Sequence, residues 1–305
     1  MEDRRALVIG ASAYILWGLF PIYFRLLADS GPLEVVAHRA IWSLLFCTIA
    51  LLAIGRWRRF TAIARDPRIF STLALAGFLV AINWGIYVFG VTTGRTLDAS
   101  MGYFMNPLVS ALLGVLVLGE RLRPLQWIAF GFGAAAVVVL VLGYGEVPWI
   151  AIVLAGSFGL YGLVTKRGGN RGGALEGLTA ETLALTVPAA VYLATLAASG
   201  AGTVEVFSPY GALVALSGPV TAIPLILFAY AAARLNLSTI GMLQYVAPLM
   251  LFLLGWLAYG EPMPPERWAG FALIWIAVAI FAADVARATR APRLPGGSHR
   301  PPRGG

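Results

Sequence analysis

The sequence predicts an all-α integral membrane protein in which ten transmembrane helices form two inverted five-helix repeats. Three observations predict it. Hydrophobic residues make up 59% of the chain and charged ones 12%, with a mean hydropathy of +0.82, whereas a soluble domain carries about 25% charged residues. Residues 107–130 and 248–271 are one segment written twice at an offset of 141, agreeing without gaps at 11 of 24 positions. Basic residues crowd into alternate loops, with 18 on one side of the predicted membrane and 2 on the other.

Stretches of about 20 apolar residues cross the hydrocarbon as helices. The first span, 6–27, follows Arg4 and Arg5 and contains Trp17 and Pro21. It is too long for a signal peptide and lacks a small-residue cleavage site. Span two, 33–54, has Glu34, His38 and Arg39 in its first turns and the only cysteine, Cys47, so no intramolecular disulfide and no cysteine metal site is possible. After the basic stretch Arg56 to Arg68 come span three at 69–91, span four at 97–118 with Pro107, and span five at 124–143. The second half repeats the order at 148–165 (the shortest), 178–199 with Pro188, 211–233 with Pro219 and Pro224, 237–259 with Pro248, and 267–286. Each of these prolines frees a carbonyl and bends its helix. Gly119-Glu120 and Gly260-Glu261 close spans four and nine, read as a glycine stop followed by a solvated acid. The Pro-, Gly- and Arg-rich tail 288–305, including His299, is too poor in apolar residues to bury a core and is expected to be disordered.

The repeat extends beyond its longest match. Ala74, Leu75, Gly77, Ala81 and Ile82 recur as Ala215, Leu216, Gly218, Ala222 and Ile223, and Gly18, Leu19 and Arg25 answer to Gly159, Leu160 and Lys166. The chain therefore divides into repeats at 1–145 and 146–287. Five spans per half is odd, so the halves are inverted, as in transporters that alternate access around a central site. By the positive-inside rule the basic loops and both termini are cytoplasmic and residues 200–210 face out. Net charge +8 belongs to those loops and not to a nucleic-acid surface.

Four stretches add a resemblance: AYILWGLFPIYFRLL with LEVVAHRAIWSLLF; AINWGIYVFGVTTGRTLDASMGYFMNPLVSALLGVLVLGERLRPLQW; SFGLYGLVTKR; and LNLSTIGMLQYVAPLMLFLLGWLAYGEP. Together they cover most of residues 13–285, and the chain resembles the RarD family within the EamA branch of the drug/metabolite transporter superfamily. That resemblance implies ten helices, two repeats, a bacterial inner membrane and secondary transport in the export direction.

Charged groups retained in hydrocarbon need a reason. Glu34 and His38 share a helical face, and Arg39 beside them has two roles open to it: pairing with Glu34, or binding an anionic group on a substrate. Snorkelling of Arg39 to the interface is the plain alternative. Pseudo-symmetry sets Glu181 in span seven opposite Arg39, either as a proton acceptor or as an acid in a favourable N-terminal turn. Glu34, His38 and Glu181 are the proton-coupling candidates, and uncoupled transport is the alternative. Tyr14, Trp17, Asn83, Trp84, Tyr87, Tyr103, Asn106, Gln244 and Tyr245 are candidates to line a cavity with apolar walls and a few polar groups, suited to a small amphipathic molecule. For Asn83 and Gln244 the competing role is hydrogen bonding between packed helices. The spacing contains no HExxH, GxSxG or P-loop, so neither an enzyme nor an ATP-driven pump is expected, and no cofactor or metal is implied. The expected partners are a small-molecule substrate, membrane lipid and protons, and nothing in the sequence selects an oligomeric state. A facilitative pore would need a continuous polar stripe, and a non-transporting scaffold would have no need of Arg39 and Asn83.

Overall fold

The computed structural model describes residues 3–145, 147–167, 173–205 and 207–290. Ten helices in it are long and apolar enough to cross a membrane: Arg4–Arg25, Pro32–Ala53, Pro67–Thr92, Thr96–Leu118, Pro124–Gly143, Trp149–Lys166, Ala174–Ser199, Pro209–Ala232, Thr239–Ala258 and Pro265–Arg287. They match the expected spans one to ten to within a few residues. The expectation for the tail falls, from residue 291 on, outside the described residues, and before it the last helix continues to Arg290.

Side chains that a soluble protein would bury point outward, among them Leu116, Leu142, Val187 and Leu257. This is the surface a lipid-facing helix presents. An additional short helix, Trp57–Arg65, lies between spans two and three. Trp57 and Phe60 stack at 5.0 Å between ring centroids, and Phe60 and Ile63 are buried while Arg58 and Arg59 are exposed.

Three prolines coincide with helix breaks. Span one is interrupted at Leu19 ahead of Pro21, span eight at Leu216 ahead of Pro219, and span nine at Gln244 and Tyr245 ahead of Pro248. A proline cannot donate to the carbonyl four residues back, so the helix yields there. At Pro107, Pro188 and Pro224 the helices continue through the proline without a break.

Three counterpart pairs, spans two with seven, four with nine and five with ten, pack against each other antiparallel. Ser100 Oγ of span four donates to the Pro248 carbonyl of span nine at 2.8 Å, and the Thr96 amide donates to Glu261 at 2.6 Å. Span two meets span seven through Glu34 with Thr203 at one end and Arg56 with Glu176 at the other. Spans five and ten meet through Gly143 against Glu266 and Arg123 bonded to Asp284. These pairings are consistent with two inverted halves. Spans one to four and six to nine interleave around the centre, while five and ten pair at the side formed by four and nine. The central core gathers Phe20, Phe24, Val35, Tyr87, Ile150 and Leu251 from five different spans.

Close packing rests on glycine at several crossings. A Cβ on Gly77 would meet the Glu181 carbonyl at 2.8 Å, and one on Gly102 the Ala151 carbonyl at 2.9 Å. Small residues at such points let membrane helices approach backbone to backbone.

Candidate functional site

Arg39 stands roughly 10 Å along span two from Pro32, at 1.5 Å per residue. It is 3% exposed. Its Nε donates to Thr221 Oγ1 of span eight at 2.8 Å, and that hydroxyl donates in turn to the Ser217 carbonyl at 2.7 Å. The guanidinium carbon lies 3.9 Å from the Trp84 ring centroid, 5.1 Å from Phe24 and 5.7 Å from Phe20. Among the described residues no carboxylate comes within 4.0 Å of it. Cation–π contact offsets part of the cost of burying the charge. It occupies the face of the guanidinium and leaves the terminal N–H groups to find acceptors elsewhere. Arg39 thus neither snorkels nor pairs with Glu34, and the latter option is corrected: Glu34 receives the Thr203 amide and hydroxyl, each at 2.9 Å.

Around Arg39 the aromatic candidates converge. Trp84 lies against it, and Tyr87 packs edge-on to Phe24 at 5.9 Å and tilted to Tyr103 at 5.8 Å. The Tyr87 hydroxyl is buried and has no hydrogen-bond partner among the described residues. Tyr103 donates to Asn83 Oδ1 at 3.2 Å, and Asn83 Nδ2 donates to the Leu154 carbonyl at 3.0 Å and to Ser157 Oγ at 3.1 Å. Asn83 therefore ties spans three, four and six together and orients Tyr103.

Among the remaining candidates, Trp17 packs against the same central cluster as Phe24 and Tyr87. Tyr14 and Trp17 form an aromatic group with Phe228 of span eight, at centroid separations of 5.2 to 6.0 Å. Tyr245 stacks on Phe104 at 6.5 Å, and Gln244 sits beside it at the break in span nine. Asn106 has a buried Oδ1 without a partner among the described residues.

Of the proton-coupling candidates, Glu34 is fixed by Thr203, which also bonds Ser30 at 2.6 Å, and Ser30 reaches Tyr210 at 2.8 Å. His38 is half-buried and keeps its place one turn from Glu34. Glu181 is 4% exposed and accepts from the Tyr161 hydroxyl at 3.2 Å. Its helix begins at Ala174, four residues ahead of expectation. Glu181 therefore lies two turns inside the helix and not in its N-terminal turn.

The two Gly-Glu closures differ. Gly119 and Gly260 both adopt left-handed conformations, φ +68° and +63°, as glycine stops do. Glu120 is half exposed and bonds Lys166 at 2.8 Å. Glu261 is not a solvated acid: it is 6% exposed and accepts the Thr96 and Leu97 amides at 2.6 and 2.9 Å, capping span four. Beside it Arg267 bonds Asp98 at 2.5 Å, and Asp98 also receives Arg95 Nε at 2.8 Å. Sequence reasoning missed Thr221, Thr203 and this Asp98–Arg267 pair. The available signal was that Asp98 and Arg267 are charges close to span ends on the side that holds few.

The EamA-like transporter family matches this chain twice, over residues 4–142 and 147–283. Protein RarD of Streptomyces exfoliatus is 49% identical over 296 residues, covering 96% of this chain and 92% of that protein. An uncharacterized transporter of Pseudomonas aeruginosa is 42% identical, covering 96% and 97%. Protein RarD of Escherichia coli is 36% identical, covering 93% and 95%. A solved crystal structure superposes with a TM-score of 0.60 at 21% identity, over 95% of this chain and 100% of the other, and shares the fold. With two family matches that coincide with the two halves of a ten-span bundle, the chain is a non-enzymatic, multi-pass membrane transporter and belongs to the EamA-like transporter family, in its RarD branch.

Proposed function

We propose that the protein is a secondary transporter that moves a small amphipathic molecule by alternating access, with repeats 1–145 and 146–287 rocking around the centre that holds Arg39. It works in a bacterial inner membrane with both termini and the basic loops in the cytoplasm, and it exports. The 18 to 2 distribution of basic residues supports that orientation. The family supports the export direction.

One observation carries the alternating mechanism. Glu261 and Glu120 are repeat counterparts in unlike environments, Glu261 capping span four at the outer end and Glu120 half exposed at the inner end. In an inverted repeat, exchanging the conformations of the halves exchanges the two environments and so converts one facing state into the other. In the alternate state Glu120 would cap span nine at Leu237 and Ser238, the counterparts of Thr96 and Leu97. The outer end is held closed by Glu261, by Asp98 with Arg267 and by Glu34 with Thr203, which supports an outward-closed assignment for the state seen. Coupling is to protons. Glu181 is the carrier the geometry favours, since Glu34 is committed to the outer closure.

Counterflow in proteoliposomes tests this reading. An alternating site accelerates uptake of labelled substrate when unlabelled substrate is loaded on the far side, and a pore does not. Absence of that acceleration alongside measurable flux would leave the facilitative pore.

A further inference from the structure

Arg39 is a cation whose terminal edge has no acceptor among the described residues. A guanidinium carries five N–H donors. Nε is used by Thr221. The four on the two terminal nitrogens meet no hydrogen-bond acceptor and no carboxylate among the described residues, although the residue is 3% exposed. The two terminal nitrogens are not among the fully enclosed polar atoms, so they stay accessible to a ligand while the rest of the side chain is buried. Next to it the Tyr87 hydroxyl is a buried donor without a partner among the described residues, held by ring contacts to Phe24 and Tyr103.

Resting on the carrier reading above, we infer that Arg39 and Tyr87 together recognise the carboxylate of a singly charged organic anion whose flat apolar body lies against the Trp84 and Phe24 rings. The fork of a guanidinium matches the two oxygens of a carboxylate with parallel hydrogen bonds. The Tyr87 O–H supplies a third. The charge balance limits the ligand to one negative charge, because the other cations near the spans are engaged elsewhere: Arg25 over the Tyr259 ring at 3.9 Å, Lys166 with Glu120 at 2.8 Å, and Arg267 with Asp98. A phosphate dianion would carry an uncompensated charge into the centre. Thr221 and Trp84 are positioning residues here, one holding the Nε edge and the other the guanidinium plane. The terminal edge is thereby left for the ligand.

The test measures ligand-induced thermal stabilisation of the purified full-length protein with four probes of similar size: phenylacetate, phenylacetamide, phenethylamine and phenyl phosphate. Phenylacetate is expected to stabilise saturably, with an affinity at least tenfold above each of the other three. Arg39→Gln is expected to lose at least tenfold in phenylacetate affinity, and Tyr87→Phe three- to tenfold with its unliganded melting temperature unchanged, since no protein contact of that hydroxyl is lost. A parent protein that binds none of the carboxylate, or binds the amide or the phosphate as well, overturns the inference. So does an unchanged affinity in Tyr87→Phe, which decides the matter even if Arg39→Gln fails to fold. Counterflow of labelled phenylacetate separates the two readings. Binding without counterflow leaves the anion site standing and removes the carrier. Counterflow of a neutral probe with no preference for the carboxylate does the reverse.

Discussion

The carboxylate of Glu261 lies 2.6 Å from the backbone amide of Thr96, and with the Leu97 amide at 2.9 Å it seals the start of one span with the end of its repeat counterpart. A charge-assisted cap of this kind contributes about 1.5–3 kcal/mol per hydrogen bond at the upper range. Its removal should shift the facing equilibrium by one to two orders of magnitude. In a Cys47→Ser background, Ser100→Cys, buried beneath the cap against Pro248, should be labelled by a membrane-impermeant maleimide from outside at least tenfold faster when Glu261→Gln is added. Equal rates would mean that the cap does not hold the outer end closed.

Asn83 and Gln244 should separate in their effects. Asn83→Ala removes three interhelical hydrogen bonds and leaves the Tyr103 hydroxyl without its acceptor. Interhelical bonds in membranes average about 0.6 kcal/mol each, so roughly 2 kcal/mol of stability should be lost. Gln244→Ala, at the break in span nine, should retain abundance and melting temperature but lower exchange. The check is thermal stability and counterflow measured on the same preparations. A stable Asn83→Ala protein with impaired exchange would instead assign Asn83 to the substrate.

Gly77 and Gly131 make a matched pair for close packing. Gly77→Ala drives a methyl into the Glu181 backbone, whereas a Cβ at Gly131 meets nothing within 4 Å. Overpacking against backbone costs about 1–3 kcal/mol. Gly77→Ala should therefore melt several degrees lower in detergent, and Gly131→Ala should not.

Coupling through Glu181 has a distinct readout. Glu181→Gln keeps the shape and an acceptor for Tyr161 but cannot ionise. It should abolish uphill flux driven by a pH gradient while sparing exchange at equal pH, because proton and substrate binding are linked reciprocally only through a titrating group. Retained gradient-driven flux in Glu181→Gln would move the coupling to His38.

The bundle was legible because membrane-spanning helices are written in local composition and because duplication repeats that composition at a fixed offset. The short helix Trp57–Arg65 was overlooked although Trp57, Phe60 and Ala64 follow helical spacing, since its five neighbouring arginines read as a charged loop. Arg39 was visible as a charge in an apolar span. Its partner Thr221 was not, because the two are 182 residues apart and only the packing of span two on span eight joins them. The same holds for Glu261. Like Glu120 it follows a glycine stop, and only its packing against the start of span four makes it a cap where Glu120 stays half exposed beside Lys166.

The most direct measurement uses spin-label distances at two repeat-related pairs, Thr93 with Pro262 at the outer end and Arg121 with Arg234 at the inner end, in the full-length protein in lipid. The account predicts two populations at each pair with weights that change in opposite directions, Glu261→Gln increasing the longer outer distance and the shorter inner one together. A single distance at each end that Glu261→Gln leaves unmoved, or both ends lengthening at once, would contradict alternating access through exchange of the two glutamate environments.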